Sequence, residues 1–110
     1  MTKTKDLARL GEISKLIFDV KLAALRAAAQ KRQQSLDLLA NLNGPVAETD
    51  LPPVIAYQTS LRYQHWAEAR RAEINLVLAR QTAEMLVARE GAGQAFGKDQ
   101  ALRGLQQKFR

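Results

Sequence analysis

Few residues of the types that catalyse reactions or bind metals occur in this chain of 110 residues. His65 is the only histidine, and cysteine is absent. A catalytic triad or a zinc site needs further histidines, cysteines or clustered carboxylates. We therefore interpret His65 as a residue of a helix surface or of a seam between helices. The sequence predicts a protein that is not an enzyme and that has no metal site and no cofactor.

Glycines are concentrated in the stretch REGAGQAFGKDQ, residues 89–100. Gly91, Gly93 and Gly97 lie within it, and Gly104 follows. The stretch looks superficially like a phosphate-binding glycine loop, but no strand precedes it and no Lys-Ser/Thr pair stands at the required place. The residues on both sides are typical of one long helix, where each glycine costs about 1 kcal/mol relative to alanine. We expect the glycines to begin where this helix loses its partner.

The formal net charge is +6, and the excess lies toward the two ends of the chain. Lys31 and Arg32 could contact nucleic acid, as could the basic residues after position 91. The sequence has no recognition-helix motif and no interleaved stacking aromatics, which disfavours nucleic-acid binding. The basic residues near the start are not followed by an apolar core of signal-peptide type, and no run approaches about 20 apolar residues. We expect a soluble cytoplasmic protein.

Two amphipathic patterns predict two long helices. Apolar residues recur at spacings of three and four along the first pattern: Leu10, Ile13, Ile17, Val20, Ala24, Ala27 and Ala28. Asn43, Gly44 and Pro45 form a stop signal after it. The second pattern has a period close to 3.5, typical of coiled coils, and comprises Ile55, Gln58 or Thr59, Arg62, His65 or Trp66, Ala69, Ala72, Leu76, Ala79, Ala83 and Leu86.

These patterns predict an all-α fold, an antiparallel two-helix coiled-coil hairpin that can pair into a four-helix bundle. The single domain, 1–110, comprises a helix at 5–42, a hinge at 43–50, a helix at 51–90 and a glycine-containing helical tail at 91–110. A short hinge places Leu42 opposite Pro52 and Leu7 opposite Val87. The tail then projects beyond the paired region. Alanines are expected at the seam: Ala23, Ala24, Ala27, Ala28 and Ala29 on the first helix, and Ala67, Ala69 and Ala72 on the second.

The tail is the predicted partner-binding site, because apolar residues left unpaired on a soluble segment usually mark a contact surface. The predicted contact residues are Phe96, Lys98, Leu102, Arg103, Leu105, Lys108 and Phe109. A frayed terminus is the alternative, and binding of the segment ALRGLQQKFR to a membrane surface is a weaker one. Tyr63 and Trp66 are interpreted as packing residues, with a partner hot spot as the alternative. Glu68 with Arg71, and Glu73 with Arg70, are expected to form solvated helix pairs.

The whole-chain pattern resembles the FliJ/YscO group of small coiled-coil proteins from flagellar and virulence type III export machines. The resemblance rests on LARLGEISKLIFDVKLAALRAAAQKR, on the polar hinge, and on the returning RYQHWAEARRAEINLVLARQTAEMLVARE with its basic tail. It implies a mechanical and escort role, as a stalk that contacts an export ATPase ring and the export gate. A self-associating helical adaptor of an unrelated system, including a homodimer, is the alternative.

Overall fold

The computed structural model describes residues 2–44 and 50–109. Two helices account for nearly all of them, α1 (Thr2–Leu42) and α2 (Pro53–Lys108), and the described residues contain no strand. The predicted all-α class is confirmed. α1 starts three residues earlier than predicted, and α2 runs without interruption through the four glycines of its C-terminal part. Hinge residues 45–49 lie outside the described residues.

Local sequence explains where each helix begins and ends. Asn43 donates its backbone N–H to the Leu39 carbonyl at 3.1 Å, and Gly44 donates to Asn41 at 3.4 Å, which closes the last turn of α1. Pro53 is the first residue of α2, where its missing N–H would have no helical partner in any case. The first bond into α2 comes from Ala56, whose N–H donates to the Pro52 carbonyl at 2.8 Å.

The chain divides into two compact units, each containing part of both helices. Unit 1 comprises Met1–Gln30 and Ala83–Arg110, and unit 2 comprises Lys31–Thr82. In unit 1, Gln106 donates to the Leu7 carbonyl at 2.9 Å, and Ser14 donates to Asp99 at 3.4 Å. The partner numbers fall as the α1 numbers rise, so the helices of this unit are antiparallel.

Unit 2 shows the same antiparallel pairing. Arg32 Nε donates to the Thr82 hydroxyl at 3.0 Å, and the Ser35 hydroxyl donates to Gln81 at 2.5 Å. At the end of α1, Arg71 donates to the Asn43 side-chain oxygen at 2.8 Å. The predicted Arg70–Glu73 pair forms on the surface at 3.2 Å, whereas Arg71 is used between the helices.

The predicted register between the helices is wrong. Leu7 lies level with Gln106 instead of Val87, and the end of α1 lies level with Arg71 instead of Pro52. The prediction assumed that α2 begins where α1 ends, but α2 begins several turns before that level. Residues 91–108 consequently pair with the first half of α1 and do not project beyond it. Residues 53–59 instead lie past the end of α1, where the described part of the chain offers them no second helix.

The predicted seam face is also wrong, although its period is right. Most α2 residues that are buried or half-buried follow a seven-residue repeat, in two series, and Ala56, Thr82 and Gly91 are exceptions outside them. These series are Ala67, Ile74, Gln81, Ala88, Ala95 and Leu102, and Arg71, Leu78, Met85, Ala92, Asp99 and Gln106. On α1 the buried positions are Ser14 and Ser35, among half-buried neighbours such as Phe18 and Leu25.

Most residues of the predicted face are exposed. On α1 only Ala28 of that face is half-buried, while Leu76 and Leu86 on α2 are 73% and 52% exposed. Of the predicted seam alanines, Ala67 is buried and Ala28 and Ala29 are half-buried; the others face solvent. The seam combines small and paired polar residues, such as Ala95 and Ser14, with large residues such as Phe18 and Ile74. The apolar stripe of α1 that was predicted to form the seam lies beside it.

Candidate protein-binding surface

The predicted partner-binding residues lie within unit 1, on α2 except for Phe109, which directly follows it, and they divide by environment. Phe96 contacts Phe18 with ring centroids 5.6 Å apart, and Lys3 Nζ lies 5.6 Å from the Phe109 ring centroid. Leu105 and Lys108 are exposed, and Leu102 is half-buried. These residues belong to a segment that is packed against α1, so the prediction that it projects beyond the paired region is wrong. Partner binding by these residues stays a prediction.

Arg103 has an intramolecular partner that sequence analysis missed. Asp99 is only 3% exposed, and its two carboxylate oxygens accept from Ser14 Oγ at 3.4 Å and from Arg103 Nε at 3.1 Å. A buried carboxylate needs such partners because its desolvation is otherwise costly. The signal was present in the sequence as the spacing of four residues between Asp99 and Arg103, which places both on one side of a helix.

A shallow groove runs along unit 1 between the two helices. Its apolar lining comes from Leu10, Ile13 and Ile17 on α1 and from Gly91, Ala95 and Leu102 on α2, with Ser14 and Gln94 as polar members. We call it the Leu10–Ile17 groove. Its volume is about 410 Å³ and it is open to solvent. Gly91 and Ala95 are the small residues on the α2 side of the groove, and Ala95 is only 6% exposed.

The charged residues that line this groove are of one sign. They are Lys21 on α1 and Lys98 on α2. A Cβ atom placed on Gly91 would lie 3.7 Å from Lys21 Cδ, so the aliphatic stem of this lysine passes beside the glycine. Both lysines thus line the groove together with its apolar residues. Lys98 and Leu102 from the predicted partner-binding set belong to this groove, and Phe96 does not line it.

In unit 1, α1 carries large aliphatic residues outside the seam as well as within it, where Leu22 and Leu25 are half-buried. Ala92, Ala95 and Ser14 are buried, whereas Ile13 is 52% and Val20 67% exposed. Leu10, Ile13, Ile17 and Val20 recur at spacings of three and four, so they form a second apolar stripe on α1. A helix in a two-helix coiled coil has one apolar stripe. The second stripe indicates that α1 can take another helical neighbour.

A second exposed apolar region lies in unit 2, at the start of α2. Tyr63 and Trp66 contact each other with ring centroids 5.8 Å apart, and both also line a shallow cavity with Leu38 and Leu42 at the end of α1. Tyr57 and Val54 are more than two-thirds exposed one to three turns earlier. The aromatic pair therefore packs partly on α1 and partly faces solvent. His65 is exposed beside it, as interpreted from the sequence.

No protein-family model matches the chain, and no curated protein and no solved structure is significantly similar to it. Neither helix, over the residues described, contains a stretch apolar and long enough to cross a membrane. Across residues 2–44 and 50–109, no three metal-binding side chains are grouped as a metal site would require.

Proposed function

We propose that this chain is a coiled-coil subunit that binds a protein partner through unit 1 and acts without catalysis of its own. The observation that carries the proposal is the second apolar stripe of α1, Leu10, Ile13, Ile17 and Val20, which the two-helix unit leaves at its surface. Contiguous apolar surface of this kind is typical of interaction sites. The helix-in-groove mode of recognition uses anchors at this spacing.

The specific role that we propose is that of a stalk or escort in a type III protein-export apparatus. It is supported by the resemblance of the whole-chain pattern to the FliJ/YscO group and by the two long antiparallel helices. In this role the chain works in the cytoplasm, is peripheral to the inner membrane through its partners, and contacts an export ATPase ring or the export gate. The basic excess of unit 1 favours attraction to an acidic partner surface.

Co-purification with the export ATPase encoded in the same genome tests this proposal. We expect the full chain to retain the ATPase and Ile13→Asp to lose most of it, because a carboxylate in the second stripe would have to be desolvated on binding. Leu86→Asp is the matched control, since Leu86 lies in the same unit and is also 52% exposed but does not line the groove. Equal retention by both variants, with unchanged helicity, would show that the stripe is not the binding face.

The alternative, a self-associating helical adaptor, is favoured by the start of α2. Between Leu51 and Trp66 the only formal charge is Arg62, and Tyr57 and Trp66 are exposed. A second copy could approach this segment without strong charge repulsion. Sedimentation equilibrium of the wild type and of Trp66→Ala distinguishes the two functions: a dimer that Trp66→Ala dissociates supports the adaptor, and a monomer at high concentration rejects it.

A further inference from the structure

The Leu10–Ile17 groove also carries information about the chemistry of its occupant. Rows of side chains at heptad spacing form one wall, and Gly91 and Ala95 lower the other. A groove between two antiparallel helices with such walls fits the apolar face of a third helix, whose anchors at i, i+3 or i+4 and i+7 would contact Leu10, Ile13 and Ile17. The occupant would complete a three-helix arrangement along unit 1.

The charge of unit 1 indicates which kind of helix the Leu10–Ile17 groove would bind. Its ranges contain eleven basic and six acidic residues, a formal charge of +5, whereas unit 2 has six basic and five acidic, a charge of +1. Both charged residues that line the groove are lysines, Lys21 and Lys98. A second copy of unit 1 would place a charge of +5 against another of +5, and the two copies would repel each other. A helix with acidic flanks would instead place carboxylates beside both ammonium groups.

We propose that the Leu10–Ile17 groove binds an amphipathic helix of a partner protein whose apolar face is flanked by acidic residues. The proposal rests on the proposed function, because it specifies the partner class of the same surface. The apolar contacts provide affinity at the centre of the site, and the lysines at its rim provide orientation, association rate and discrimination against basic helices.

A pair of synthetic helical peptides tests the proposal against the full chain. Both have about 21 residues, or three heptads, with leucine at positions a and d; one has glutamate and the other lysine at positions e and g. Like charges at e and g keep each peptide from pairing with itself. Fluorescence anisotropy of the labelled peptides is measured at low salt and again at high salt. We expect the glutamate peptide to bind at least about tenfold more tightly than the lysine peptide, a difference near 1.4 kcal/mol, and to weaken as salt screens the charges.

Three variants assign the binding to this groove. Ile13→Asp should weaken binding of the glutamate peptide by about tenfold or more, while Leu86→Asp should leave it unchanged. The double variant Lys21→Glu with Lys98→Glu should reverse the preference, so that the lysine peptide binds better. Circular dichroism confirms that each variant retains the helicity of the wild type.

Several outcomes would overturn the proposal. They are the absence of binding by either peptide up to about 100 µM, equal binding of both, and binding that Ile13→Asp and Leu86→Asp weaken equally. Association of the wild type into a dimer that Ile13→Asp dissociates would make a second copy the occupant and would likewise reject it. These results are independent of the ATPase co-purification: loss of the ATPase from Ile13→Asp supports the proposed function even where the acidic peptide fails to bind.

Discussion

Asp99 is a charged residue at a heptad position that usually holds an aliphatic side chain. Its carboxylate is satisfied on both oxygens, by Ser14 on the facing helix and by Arg103 one turn later on its own helix. The Ser14 contact also ties Asp99 to one partner level on α1. Such polar pairs specify register because a shift along the seam would separate the buried carboxylate from Ser14, its donor on the facing helix.

Removing the guanidinium of Arg103 should therefore destabilise the fold. We expect Arg103→Ala to lower the free energy of unfolding by about 1–3 kcal/mol, because one oxygen of a buried carboxylate loses its donor. Lys108→Ala, at an exposed position of the same helix, should have little effect. Urea unfolding followed by circular dichroism measures both. If the two variants unfold at the same urea concentration, the Asp99–Arg103 pair does not contribute to stability.

The effect of the α2 glycines on stability can also be tested by single substitutions. A Cβ atom built on Gly93, Gly97 or Gly104 meets nothing within 4 Å, and no glycine in the described residues has a positive φ. The structure gives no intramolecular reason for them. Each substitution to alanine should raise the free energy of unfolding by about 0.5–1 kcal/mol, because alanine loses less backbone entropy in a helix.

Gly11→Ala is the control for this series. A Cβ on Gly11 would collide with the Gln106 amide, which donates to the Leu7 carbonyl. Its gain in helix propensity should be offset by the displacement of that amide. Thermal melts of the single variants and of the triple variant measure the effect, and a triple variant that melts below the wild type would contradict the explanation.

At the scale of the helices, the sequence predicts the helical structure correctly but not which face of each helix is buried. The hydrophobic period and the Asn43–Gly44 stop signal were sufficient to predict two long helices. The seam was assigned to the more apolar stripe of α1, whereas the structure buries Ser14 and Ala95 and exposes Ile13. A search for apolar residues alone cannot choose between two neighbouring stripes of α1 when the buried one also contains Ser14 and Ser35. The register was missed because the level at which α2 begins depends on the hinge, which periodicity does not determine.

The corrected register changes the expected result of truncation. A projecting tail would allow residues 91–110 to be deleted without loss of hairpin stability. Because this segment supplies Phe96, Asp99 and Gln106 to α1, its deletion should lower the melting temperature and release the first half of α1. Hydrogen exchange of the amides in residues 2–25 should then accelerate strongly. Deleting only residues 109 and 110 should leave these amides protected from exchange. If the longer deletion also leaves their exchange rates unchanged, residues 91–110 do not pack on α1 and the prediction of a projecting tail would be right.

At the scale of the whole molecule, charge is distributed unequally along the chain. Unit 1 carries +5 of the total +6. Among its described residues, the fully buried hydrophobic ones are Ala92 and Ala95, which contribute little apolar area, and larger ones such as Phe18 and Leu25 are only half-buried. A unit with a thin core and a large excess of one charge is weakened by its own repulsion. The same excess would attract an acidic helix, so one property should oppose folding of the isolated chain and favour its binding.

Salt should therefore move stability and binding in opposite directions. Raising the ionic strength from about 0.01 M to about 0.1 M shortens the screening length from about 30 Å to about 10 Å. Repulsion among the lysines and arginines of unit 1 then falls, so the melting temperature of the free chain should rise. Affinity for the glutamate peptide should fall over the same range, because the attraction that steers it is screened as well.

The variant with Lys21→Glu and Lys98→Glu is the control for the salt effect. It removes two positive charges and adds two negative ones, which brings unit 1 close to neutrality. Its melting temperature should therefore depend less on salt than that of the wild type. A melting temperature that falls with added salt would mean that attractive pairs such as Asp99–Arg103 outweigh the repulsion, and the excess charge would then have to be explained by binding alone.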